Sequence, residues 1–87
     1  MVALQFNTMD ISEKYNNAFV QVFGAKPEEL NDNFGKDTVS KWDSVHQLGL
    51  VINLEDAFDI LFDPEDIIEF TSFAKGKEIL KKYKVEL

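Results

Sequence analysis

Asp43-Ser44-Val45-His46 is the stretch whose residue types and spacing offer chemistry. A short carboxylate just before a helix accepts hydrogen bonds from the unpaired amides of the first turn, so Asp43 suits the N-cap. Ser44 then falls at the first helical position, where its hydroxyl is not needed as a cap and stays exposed as a chemical handle. The competing arrangement is a capping box of Ser44 with Gln47, in which the backbone would occupy that hydroxyl. His46 is the only histidine, but residues two apart on a helix point to different sides. No acid is placed by sequence to orient it as a nucleophilic pair would require. Its expected role is a surface contact.

Other chemistries are missing from the pattern. The chain has no cysteine, which rules out disulfides, thiolate catalysis and a cysteine metal cage. Asn31-Asp32-Asn33 lacks the glycine and closing glutamate of a calcium loop. With no nucleophile-base pair, ligand cluster or glycine-rich phosphate loop, an enzyme is not expected.

The element that must position Ser44 is a helix predicted from about Ser44 to Asp59. At about 100° per residue, Leu50, Val51, Leu54, Ala57 and Phe58 gather on one side as a core stripe. Val45, Leu48 and Ile52 gather on the other, bordered by Glu55, Asp56 and Asp59. A helix apolar on two faces is either buried all round or keeps one face for a partner. In so short a chain the partner is the expected reading.

The rest of the chain reads as helices built around this one. Met1 to Met9 has no clear period. Asp10 with Glu13 makes a capping-box start, followed by an inward stripe of Ile11, Tyr15, Phe19, Val22 and Phe23 that ends at Gly24. Ala25 to Lys41 forms a long connection with a helical turn at Pro27-Glu28-Glu29-Leu30, anchored to the core by Phe34 and Val39. Trp42 is expected to pack as an anchor for that loop. Asp63-Pro64-Glu65-Asp66 starts a short helix running to about Phe70. Thr71-Ser72 caps a last helix from about Phe73 to Tyr83, with Phe73, Ile79, Leu80 and Tyr83 inward. Gly76 should weaken it by about 1 kcal/mol relative to Ala, as Gly49 should weaken the earlier helix. The fold class expected is all-α, a small four-helix bundle of three longer helices and one short, with a long loop between the first two.

Eighty-seven residues form one domain, burying somewhat more than about 60% of the unfolded surface. Hydrophobic residues make up 45% and eight are Phe, enough for a simple core. So many rings predict a filled interior and favour short or polar cargo. No apolar run approaches the roughly 20 residues of a membrane span. The N-terminus lacks a basic region and a cleavage-like pattern, so no secretory signal is expected and a cytoplasmic address is. A net charge of −7 argues against nucleic acid and for partners with basic patches. Lys75, Lys77, Lys81, Lys82 and Lys84 collect at the end of the chain, where they suit the helix dipole as a solvated face.

Asp43-Ser44-Val45 through Leu54-Glu55-Asp56-Ala57-Phe58-Asp59-Ile60 resembles the Asp-Ser-Leu motif and following helix of the acyl carrier proteins. The likeness extends more loosely from about Ile11 to Lys82, and Val22-Phe23-Gly24-Ala25-Lys26-Pro27-Glu28-Glu29-Leu30 resembles the family's turn from first helix to long loop. The resemblance implies one acyl-carrier-like domain over residues 1–87, a monomer, with 4'-phosphopantetheine attached to Ser44 and Asp43 as motif acid and cap. It implies acyl or aminoacyl intermediates carried as thioesters. Its partners would be a phosphopantetheinyl transferase, an acyl or aminoacyl ligase or transferase, and downstream biosynthetic enzymes. Val45, Leu48, Ile52, Glu55, Asp56, Asp59 and Ile68 would meet them, Ile68 standing where the family often has an acid. A phosphodiester on Ser44 would lie beside a helix N-terminus, which favours an anion.

Between Ser44 and Leu54 there is no acid, and His46 and Gly49 stand where fatty acid carriers usually have some. Trp42-Asp43-Ser44 resembles the start seen in many specialised carriers. Both departures imply a dedicated pathway rather than general fatty acid synthesis. The reading from a different class is a helical protein-protein interaction module without a prosthetic group, in which Ser44 is merely a cap.

Overall fold

A computed structural model describes residues 10–87; the expected lead-in from Met1 to Met9 lies outside the described residues. The chain folds as an all-helical bundle of α1 (Ile11–Phe23), α2 (Ser44–Phe58), α3 (Pro64–Glu69) and α4 (Phe73–Lys81), with a 3-10 turn at Pro27–Glu29 between α1 and α2. The capping box expected at the start forms in both directions. The Glu13 amide donates to Asp10 Oδ1 at 2.8 Å and the Asp10 amide to Glu13 Oε1 at 3.0 Å. Gly24 closes α1 with φ 68°, the left-handed conformation that a Cβ disfavours.

The stripe on α1 buries Tyr15, Ala18, Phe19 and Phe23. Ile11 departs from the expectation. It is 42% exposed because it sits in the opening turn, ahead of the first buried residue. Phe19 is the hub of the core, with the rings of Tyr15, Phe73, Phe34 and Trp42 at centroid distances of 5.0, 5.1, 5.9 and 6.0 Å. Those spacings lie in the range where edge-to-face and tilted aromatic pairs attract.

The long connection is fastened rather than slack. Phe34 and Trp42 are buried, and the Phe73 amide donates to the Phe34 carbonyl at 2.8 Å while the Lys36 amide donates to that of Thr71 at 2.9 Å. Together with a single bridge between Gly35 and Ser72, these bonds tie the loop leading to Ser44 onto the turn between α3 and α4.

Two expectations for the C-terminal part are corrected. Gly76 is not a tolerated weakness of α4. It is buried, and a Cβ there would lie 2.2 Å from Tyr15 Oη and 2.3 Å from Phe70 Cζ, so the absent side chain is what lets α4 approach α1. Nor are the terminal lysines simply a solvated face. Lys82 Nζ donates to Asp66 Oδ1 at 2.6 Å, and Tyr83 Oη donates to Asp66 Oδ2 at 2.6 Å. Asp66 is the buried charge of the bundle at 2% exposure, and its partners hold α3 against the end of α4. Lys77 Nζ stands 4.6 Å over the Phe73 ring.

Candidate functional site

Local geometry at the start of α2 follows from Asp43. Its backbone is extended and its Oδ1 accepts from the His46 amide at 2.9 Å, so the carboxylate, not the serine, is the cap. The same oxygen meets His46 Nδ1 at 2.8 Å. Hydrogen bonds from the His46 amide and then its ring hold the Asp43 carboxyl below the usual carboxylate range.

Asp43 therefore is the acid that orients His46, which the sequence reading did not find. Residues three apart on a helix are neighbours, and that spacing was the available signal. The imidazole lies nearly parallel to the Phe23 ring of α1, 17° between planes and 5.7 Å between centroids. It is turned toward α1 and is not paired with Ser44.

Ser44 is exposed, and among the described residues no hydrogen bond engages its hydroxyl. The Ser44–Gln47 capping box does not form, because the Gln47 side chain has other partners. Its Oε1 accepts from Trp42 Nε1, and its Nε2 donates to the carbonyls of Ile67 and Phe70, both at 2.8 Å. This one amide joins the loop anchor, the first turn of α2 and the C-terminal end of α3.

Ser44 opens onto a groove of about 560 Å³ between α2 and α3, lined by Lys36, Asp43, Ser44, Gln47, Leu48, Ile67 and Ile68. A second concavity, about 640 Å³, lies at the other end of α2 and gathers Ile52, Glu55, Asp56 and Asp59 with Ile60 and Leu61. At 1.5 Å rise per residue, Ile52 lies about 12 Å along the helix from Ser44. The expected site residues thus fall along one side of α2 and the adjoining edge of α3.

The two faces of α2 separate as the wheel predicts. Leu50, Val51 and Leu54 are buried, whereas Val45, Leu48 and Ile52 are 76, 57 and 56% exposed. Ile68 is 76% exposed beside them. Asp56 and Asp59 are exposed, Asp59 closing α2 in the left-handed conformation. Glu55 is half-buried, with Oε2 accepting from the Phe62 amide at 2.9 Å; one of its oxygens therefore serves the turn after α2. Leu61, 79% exposed, joins the apolar row and was missed because it follows the helix, where no periodicity marks it.

Among the described residues no cluster of His, Asp and Glu is arranged to hold a metal ion, and no helix is long and apolar enough to cross a membrane. Compared with family profiles and with curated protein sequences, the chain finds no match.

Proposed function

We propose that this protein is a carrier that holds acyl or aminoacyl intermediates as thioesters on a 4'-phosphopantetheine arm attached to Ser44, and catalyses nothing itself. The observation that carries the reading is an exposed, unengaged Ser44 hydroxyl at the start of a helix whose uncovered side is apolar. Asp43 already fills the capping role, which leaves the serine without a structural task.

The residues around Ser44 suit the group. Lys36 supplies a cation to the groove, and the N-terminus of α2 favours an anion, so a phosphodiester on Ser44 meets complementary charge. When bound, the arm supplies the thiol that a cysteine-free chain lacks. In the attachment, the Ser44 oxygen bonds to the pantetheine-bearing phosphorus of coenzyme A, the adenosine-bearing phosphate leaves, and the hydroxyl proton passes to a base of the transferase.

Val45, Leu48, Ile52 and Ile68 offer apolar contact to the transferase and to later enzymes, with Asp56, Asp59 and one oxygen of Glu55 steering partners that carry basic patches. The cytoplasm, where coenzyme A and such enzymes meet, is the matching location.

Mass spectrometry after incubation with coenzyme A and a promiscuous phosphopantetheinyl transferase tests the reading. One added phosphopantetheine is expected, lost in Ser44→Ala while helical circular dichroism and stability stay unchanged. An unmodified chain would overturn it.

A further inference from the structure

We infer that Gln47 bars a chain attached at Ser44 from the interior of the bundle and keeps it in the surface groove, making Gln47 a specificity-determining residue. This rests on the carrier reading for its biological meaning, though the barrier itself is a property of the fold.

Gln47 lies one turn beyond Ser44 and lines the same groove. Its amide has three partners: the Trp42 indole N–H and the Ile67 and Phe70 carbonyls. Directly behind stand Trp42, Phe70 and Phe19, 4, 0 and 0% exposed. Their rings are in mutual contact, with centroids 6.5 Å apart for Trp42 and Phe70, 6.0 Å for Phe19 and Trp42, and 6.3 Å for Phe19 and Phe70. An alkyl chain passing inward would have to part this packed trio and displace the amide. It would strand an indole N–H and two carbonyls in an apolar setting, each a penalty with no compensating bond from a hydrocarbon.

The way outward carries no such penalty. Leu48 and Ile68 are mostly exposed and Ile67 half-buried, forming an apolar wall next to Ser44. Cargo seated there stays accessible to enzymes, and the part that outruns the wall remains in water. The groove therefore favours short or polar acyl groups.

The chain has no cysteine and one tryptophan, which permits a test independent of phosphopantetheine. Ser44→Cys is alkylated with methyl and, separately, dodecyl methanethiosulfonate, and the Trp42 indole N–H resonance is compared between the two adducts. With Gln47 in place the resonance should be the same in both, while methyl signals of Leu48 and Ile68 shift only with the dodecyl chain. Movement of the indole resonance by the dodecyl chain would overturn the inference. In Ser44→Cys with Gln47→Met, an apolar side chain of similar length, the dodecyl adduct should shift the indole resonance relative to the methyl adduct. No shift there would show that Gln47 is not the barrier. Failure of the transferase assay, by contrast, would remove the carrier reading and leave this measurement unaffected.

Discussion

The contact of α4 with α1 and the contact of α3 with α2 are made in different ways. On the first side the helices meet at Gly76, with no room for a Cβ against Tyr15 and Phe70, and the Tyr15 hydroxyl donates to the Phe73 carbonyl at 2.6 Å. Burial drives the Tyr15 phenol pKa well up, so it stays a neutral donor. On the second side a groove remains open, and α3 is located by directional polar bonds: the Gln47 amide toward α2, and Asp66 toward the end of α4. Close packing fixes the base of the bundle; a few hydrogen bonds fix the helix beside Ser44. The part that would meet cargo and partners is thus the part held by fewer and more specific contacts.

The sharpest way to break this contrast is to fill the close contact. Gly76→Ala gains about 1 kcal/mol of helix propensity but drives a methyl into the Tyr15 hydroxyl and the Phe70 ring, and overpacking of this kind costs about 1–3 kcal/mol or more. Loss of the Tyr15–Phe73 bond as Tyr15 moves adds about 1 kcal/mol. A net loss of about 2 kcal/mol in urea denaturation is expected; unchanged stability would mean the two helices separate easily and the contrast is false.

The polar side is tested through the Asp66 cluster. Tyr83→Phe removes the donor to Asp66 Oδ2 and the acceptor of the Asp63 amide, an expected loss of about 1–2 kcal/mol at neutral pH. Hydrogen bonds from Lys82 and then Tyr83 hold the Asp66 carboxyl below its ordinary range. A carboxyl whose folded pKa is lowered stabilises the fold above its unfolded value of about 4 and loses that contribution as pH falls through the folded value. The stability gap between wild type and Asp66→Asn should therefore narrow as the pH is taken from neutrality to about 3. Equilibrium denaturation of the pair across that range checks it, and a constant gap would mean that Asp66 is not held by charge.

How much of this was legible depended on whether the physics was local. Asp10 with Glu13, Asp43, Asp63-Pro64 and Ser72 mark helix starts within a turn of themselves, and the opposed faces of α2 follow from spacing alone, so both could be read from the sequence. Gly76 looked like a defect because its reason lies in Tyr15 and Phe70, far away along the chain. Asp66 looked like an ordinary first-turn acid, and only the fold brings Lys82 and Tyr83 to it. Gln47 was legible as a possible cap, not as a bridge to α3, since the carbonyls it bonds belong to another helix. The Asp43–His46 pair was local and still missed, because attention went to the histidine's spacing from Ser44 rather than from the cap.

The smallest effect sharpens the contrast from the opposite sign. Gly49 is also a glycine inside a helix, but a Cβ there meets only Val22 Cγ1 at 3.9 Å, an ordinary contact. Nothing in the packing requires its bareness, so Gly49→Ala should raise stability by about 0.5–1 kcal/mol, mainly by reducing the freedom of the unfolded chain. Denaturation read together with the rate of phosphopantetheine attachment separates two origins for the residue. A more stable protein modified at the wild-type rate marks a position under no constraint, whereas greater stability with slower modification marks a place where an enzyme's backbone comes close to α2. A loss of stability would place Gly49 with Gly76 and erase the distinction between a glycine that a helix contact needs and one that it does not.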